Sequence, residues 1–242
     1  MKKLFLYSIM FSVALSSCRK DETVETYKEP EDIATQNYYD DEAAKKFMTE
    51  NYLDAQGNIK AFDANDTSDD SNTSLANMNP QTLPGSGVIY IVRNNAQPNP
   101  GTSIGNTDVI RIMNKGLGYV AMSVDGVIKF SSPAAFVNTI QGNGVPQIDP
   151  MYYYVKNATM TASGKSRSYY EMEGFQEGIR KFLAYNIPDS DNYNLQGVII
   201  VPSRSAFARD NHYPYQNVNW RNRSFVFNFQ VYKSSARPAD QE

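Results

Sequence analysis

With one cysteine in 242 residues, Cys18, this chain cannot cross-link itself. No second thiol is present to close a disulfide, so no cysteine framework can stand in for a core. The fold has to be stabilised by buried apolar surface alone. The composition supplies that surface: 41% of the residues are hydrophobic and 12% aromatic, ample for one globular domain. It does not suggest disorder throughout.

Cys18 also closes a distinctive N-terminus. Lys2 and Lys3 form a short positive region, and Leu4 to Leu15 supply an apolar stretch broken only by Ser8 and Ser12. A membrane-spanning helix needs about 20 apolar residues. This stretch is shorter and has the length of a signal-peptide core. Leu15-Ser16-Ser17-Cys18 resembles the lipobox of bacterial lipoproteins, in which the peptide before the cysteine is removed and the thiol receives a diacylglycerol. The resemblance implies a signal peptide over 1–17, lipidation at Cys18 and anchorage to a membrane of the cell envelope. An ordinary secretory signal with an incidental cysteine is the alternative. Two or three acyl chains anchor stably, at about 0.8 kcal/mol per buried methylene. Lys20-Asp21-Glu22 resembles the short acidic signal that sends some Gram-negative lipoproteins to the outer face of the outer membrane. A plain charged linker has the same composition.

Charge narrows the partners. The formal charge of −3 becomes −5 on cleavage, with 21 basic residues against 26 acidic ones, because Lys2 and Lys3 leave and no acid does. A mildly acidic chain with scattered Lys and Arg is a poor nucleic-acid binder.

Several element signals follow the leader. Asp40 to Leu53 reads as a helix capped by Asp40 or Asp41, with Ala44, Phe47 and Met48 forming a docking stripe. Asp63 to Pro84, rich in Asp, Asn, Ser and Thr, reads as a mobile linker, so 18–84 is expected to be a tether carrying one short helix. After Gly85 the texture changes. Strands are expected at Val88–Val92, Val109–Met113, Tyr119–Val124 and Val127–Phe130, with Asp125-Gly126 as a hairpin turn. Met151–Val155 and Ser168–Met172 are weaker strand candidates. Gly174–Ala184 reads as a helix with Phe175, Ile179 and Phe182 facing a sheet. Val198–Val201 and the alternating run Phe225–Val231 complete the set. The whole predicts an α+β domain, an antiparallel sheet with one helix against it.

The residue inventory excludes several chemistries. His212 is the single histidine, set in a polar loop. There is no G-x-S-x-G elbow, no His/Cys zinc spacing and no phosphate-binding glycine loop, since Gly85-Ser86-Gly87 lacks the third glycine and precedes a strand. No metal and no cofactor is expected.

Five segments nevertheless resemble the FKBP-type peptidyl-prolyl isomerases, in the right order. Gly87-Val88-Ile89-Tyr90 is similar to that family's entry strand, and Asp125-Gly126 with Phe130-Ser131-Ser132 to its Asp-Gly-x-x-Phe-Asp-Ser-Ser stretch. Glu173-Gly174-Phe175-Gln176-Glu177-Gly178-Ile179 resembles the Gly-Trp-x-x-Gly-Leu start of its helix. Ile200-Val201-Pro202-Ser203-Arg204-Ser205-Ala206-Phe207-Ala208 resembles its Ile-Pro-x-x-Leu-Ala-Tyr-Gly segment, and Phe225-Val226-Phe227-Asn228-Phe229-Gln230-Val231 its closing strand. The resemblance implies an FKBP-like domain over 85–235, a sheet wrapped on one helix.

It also implies a site. An X-Pro bond rotates over about 18–20 kcal/mol, and a concave apolar pocket that favours the twisted amide lowers that barrier without nucleophile or metal. By resemblance Phe175 takes the place of the pocket-floor tryptophan, Phe207 that of the tyrosine and Phe227 that of the last-strand phenylalanine. Phe130, Met172 and Val218 would complete the substrate-binding wall. The departures are specific. Phe207 lacks the hydroxyl donor, Ala208 replaces a glycine, the aspartate expected around Phe130-Ser131 is missing, and Glu171 replaces an apolar residue. Two functions therefore stand open. One is a lipid-anchored isomerase or folding factor acting on proline-containing exported polypeptides. The other is a catalytically silent FKBP-like module that docks an envelope protein partner through its groove or through Tyr152 to Tyr154 and Tyr213-Pro214-Tyr215. A carbohydrate-binding module is suggested only by aromatics such as Trp220.

Overall fold

The computed structural model describes residues 27–141 and 144–242; the leader, Cys18 and the acidic triplet lie outside the described residues. The first helix, α1 (Ile33–Glu50), starts earlier than the sequence suggests because Asp32, not Asp40 or Asp41, is its cap. The Asp32 carboxylate accepts the Thr35 N–H at 2.6 Å, satisfying one of the free donors of the first turn. Asp40 instead lies inside the helix and is buried.

A small hairpin follows, β1 (Asn51–Leu53) and β2 (Ile59–Ala61). Then come β3 (Gln81–Thr82), β4 (Ile89–Val92), β5 (Thr102–Ser103), β6 (Val109–Val124), β7 (Val127–Asn138) and β8 (Gln147–Ile148). Two short helices, α2 (Asn157–Ser163) and α3 (Glu173–Ile179), precede β9 (Leu183–Ala184), β10 (Gly197–Val201) and β11 (Arg223–Ser235). The main sheet runs β3-β4-β10-β11-β6-β7, with β8 also paired to β6. Its pairings are antiparallel throughout the described residues. The fold is α+β.

Both faces of this sheet are covered. On the inner face, Phe225, Phe227, Phe229 and Val231 of β11 point together, as their alternation predicts, and meet α3. Gly174 and Gly178 allow the helix to lie close to β10. A Cβ on Gly174 would stand 2.5 Å from the Val201 side chain, and one on Gly178 2.6 Å from that of Ile199. The helix is shorter than expected and ends at Ile179; Phe182 reaches the core from the following turn, its ring 4.8 Å from Phe229.

The outer face carries Val198, Ile200 and Val226, beneath Ala44 and Met48 of α1 and the fully buried Leu75. This explains why β11 is buried on both sides. It also corrects the expectation of a mobile linker over Asp63–Pro84. That stretch is a series of turns stapled by Asp69, whose carboxylate accepts the Asp63 N–H at 2.8 Å, and it delivers Leu75 to the core before Gln81–Thr82 joins the sheet. A polar composition concealed one buried anchor.

Other departures have local causes. Val109–Met113 and Tyr119–Val124 are one continuous strand, because the intervening Gly116 and Gly118 make room for rings on the inner face. A Cβ at Gly116 would stand 2.7 Å from Phe227, and one at Gly118 2.7 Å from Trp220. The register of β6 against β7 shifts at both glycines, the mark of bulged pairing. Met151–Val155 is a turn and Ser168–Met172 contains a 3-10 turn, not strands.

Candidate functional site

The three aromatics proposed for the isomerase pocket do gather on the inner face. The Phe175 and Phe227 rings lie 4.5 Å apart, and Phe207 reaches them through Phe136 and Phe225, at 6.4 and 6.0 Å. Each is interior: Phe175 and Phe227 are 0% exposed and Phe207 2%. Met172 is also fully buried, just before α3. Val218 lies half-buried against the same cluster. Phe130 does not join them. It sits on the outer face, stacked on Tyr119 at 5.2 Å and 5.9 Å from Phe47 of α1. Phe130 and the inner-face Phe136 are six residues apart on β7, which plain alternation would put on one face; the register shifts at Gly116/Leu117 and Gly118/Val120 separate them, so Phe130 does not wall a pocket built around Phe175.

The space among these rings is filled by the chain itself. Tyr152 stands 5.3 Å from Phe175 and is stacked on Phe227 at 5.9 Å. Its backbone carbonyl accepts the Met172 N–H at 2.8 Å, and its hydroxyl accepts from Asn114 Nδ2 at 2.5 Å. Phe136 lies edge-on to Tyr152, Tyr215, Trp220 and Phe225, at 5.0 to 5.1 Å from each. Glu171, a departure from the family pattern, holds this filling in place. Its carboxylate accepts from the Val155 N–H and from Arg167, both at 2.8 Å, and from Gln176 at 3.0 Å.

Burial also corrects the expected docking aromatics. Tyr152, Tyr153 and Tyr154 are 3%, 0% and 5% exposed, so they are core rather than a presented surface. Trp220, the aromatic that suggests a carbohydrate-binding module, is fully buried, and its indole N–H donates to the Tyr215 carbonyl at 2.8 Å. Tyr213 and Tyr215 are half-buried beside it. His212 is stacked on Phe207 at 4.9 Å and is fixed by two hydrogen bonds. Nε2 accepts the Trp220 N–H, and Nδ1 faces the Asp210 carbonyl, both at 2.9 Å. With Nδ1 donating and Nε2 accepting, the ring ties the Asp210 carbonyl to the Trp220 backbone.

An open cleft lies on the other face, and a second, of about 430 Å³, opens beside His212 and Val218. The first, of about 470 Å³, has its floor on β6 and β11 and is walled by the end of α1 and the β1–β2 hairpin. Lys115, Leu117 and Tyr119 enter it from β6 and Val226 from β11. Sequence reasoning missed this site, although the signal was present. In Lys115-Gly116-Leu117-Gly118-Tyr119 the glycines and the side chains alternate, which assigns the three side chains to one face. Among the described residues no group of three or more His, Cys, Asp or Glu could hold a metal ion. No described helix is long and apolar enough to cross a membrane.

No family model matches the chain, and no curated protein matches it. Among solved structures, the crystal structure of FkpA from Escherichia coli is similar at a TM-score of 0.36 and 18% identity, over 66% of this chain and 53% of that one. The chain thus spans about half the length of that protein. A likeness so distant does not define the fold or the function.

Proposed function

We propose that this protein is a lipid-anchored, catalytically silent FKBP-like binding module of the bacterial cell envelope, held at Cys18 and placed at the outer membrane, where it engages a polypeptide partner. Support for the FKBP-like part is the convergence of four of the five family-like segments. The entry strand β4 pairs with β10, β10 with the closing strand β11, and α3 lies against β10 and the aromatic face of β11. Support for silence is one observation: the Phe175 and Phe227 rings touch at 4.5 Å and Tyr152 packs against both, at 5.3 and 5.9 Å, so the aromatic cluster is closed by the chain itself. A prolyl ring could enter only by displacing Tyr152, and re-exposing a buried side chain of that size costs about 1.5–3 kcal/mol before any binding begins. The missing hydroxyl at Phe207 removes the donor that could repay part of it.

A proline-limited peptide isomerisation assay with the full chain in detergent tests the reading. The rate is expected to stay at the uncatalysed value with micromolar protein. Acceleration proportional to protein concentration overturns the proposal and restores the isomerase reading.

A further inference from the structure

We propose that the outer-face cleft is a peptide-binding site, one that takes an extended segment carrying acidic and apolar side chains on the same face. The inference rests on the binding-module reading and names the class of partner for it. The volume of about 470 Å³ falls within the range of built ligand sites, about 300–1,000 Å³. The walls are preformed. Asn228 Nδ2 donates to the carbonyls of Gly57 and Gly197, both at 2.9 Å, and Asn228 Oδ1 accepts the Ile59 N–H at 3.3 Å. These bonds pin the β1–β2 hairpin over the sheet, so little ordering is left for a ligand to bring about.

The floor has the period of a strand. Lys115, Leu117 and Tyr119 project from one side of β6 at every second residue, a repeat of about 7 Å. An extended segment has the same repeat. One that places an acid opposite Lys115 and apolar groups opposite Leu117 and Tyr119 meets them through side chains alone, because β6 is hydrogen-bonded on both edges, to β11 and to β7. Val226 widens the apolar part of the floor, and Phe47 of α1 adds an apolar wall.

Charge fixes the sign of the partner. Lys60 and Lys115 line the cleft, and neither forms an ion pair among the described residues. The one lining carboxylate, Asp54, is engaged within its own turn. Oδ1 accepts the N–H groups of Gln56 and Asn58 at 2.9 and 2.8 Å, and Oδ2 accepts from Asn58 Nδ2 at 3.0 Å. The lining is therefore net positive in a chain whose formal charge is −3. That contrast steers an acidic segment to this face. Tyr119 is half-buried at the cleft, and its hydroxyl has no hydrogen-bond partner among the described residues, so it can donate to a ligand carbonyl.

The test uses the full chain in neutral detergent and a fluorescein-labelled probe, Ser-Glu-Ser-Leu-Ser-Phe-Ser-Glu-Ser, followed by anisotropy. The expected result is saturable binding that weakens with added salt. The double variant Lys60→Glu/Lys115→Glu, and separately a probe with Gln in place of Glu, should lose affinity at least about tenfold. Circular dichroism melting confirms that the variant folds. Equal affinity in the double variant, equal affinity for the Gln probe, or no saturation up to about 1 mM overturns the inference. With a flat isomerisation trace, such a failure removes the cleft and leaves the binding-module reading standing. An accelerated trace removes that reading itself.

Discussion

Replacing Phe136 with alanine removes the ring on which the filled groove turns. Phe136 is 2% exposed and has the rings of Tyr152, Tyr215, Trp220 and Phe225 at 5.0 to 5.1 Å, with Phe227 at 5.9 Å. A buried Phe→Ala change costs about 3–5 kcal/mol, the larger values applying where the surroundings cannot collapse. Here they cannot. Trp220 is tied to Tyr215, Tyr152 to Asn114, and Phe225 and Phe227 belong to the central strand. We therefore expect a loss of about 4 kcal/mol. At a slope of about 3 kcal/mol per M, the urea midpoint falls by about 1.3 M. Phe136→Leu, which keeps most of the volume, should cost about 1–1.5 kcal/mol. Equilibrium urea unfolding of the full chain, followed by circular dichroism, measures both. A midpoint shift below about 0.3 M for the alanine variant would show that the ring borders open space, and the argument for a closed groove would be wrong.

Three further outcomes follow from named contacts. Leu75→Ala should cost about 2–5 kcal/mol in the same experiment; a change within about 0.5 kcal/mol would return the Asp63–Pro84 segment to the status of a free linker. Gly178→Ala should destabilise by about 1–3 kcal/mol, since the added Cβ meets Ile199 at 2.6 Å. An unobstructed helical glycine would instead gain stability on this change. Alkaline unfolding tests Tyr119, whose hydroxyl is pushed up to about 12 in the fold against about 10 unfolded. Between those values the unfolded chain has lost a proton that the native state keeps, so stability falls as pH rises. Tyr119→Phe should make that fall less steep above pH 10 while other buried tyrosines maintain the rest. A slope identical to that of the parent chain would contradict the shift.

What was legible in the sequence was whatever local period could encode. The alternation of Phe225 to Val231 placed those side chains on one face correctly, and Asp125-Gly126 marked the β6–β7 turn. Phe175, Phe207 and Phe227 fall in one buried cluster. Their environment was not legible, because the rings that fill it come from Phe136 and Tyr152, on segments that carried no family signal. Leu75 was hidden for the reverse reason: one apolar residue in a polar run has no period. Phe130 was assigned by motif similarity, while its face depends on the register of β7, which the bulges at Gly116 and Gly118 reset. The outer cleft arises only when the hairpin at Asn51–Ala61 folds back onto β11 through Asn228, a contact 171 residues apart in sequence.

Closure of the aromatic cluster separates a silent module from an isomerase, and Trp220 reports on it directly. It is the single tryptophan, fully buried, with its ring 5.1 Å from Phe136 and 5.5 Å from Phe225. Intrinsic fluorescence of the full chain with iodide as a quencher is the measurement. A closed groove gives blue-shifted emission that iodide does not quench until the protein is unfolded in urea. Red-shifted emission, quenched in the native protein as strongly as in the unfolded chain, would mean that the groove is open to solvent and that the case for a silent module fails.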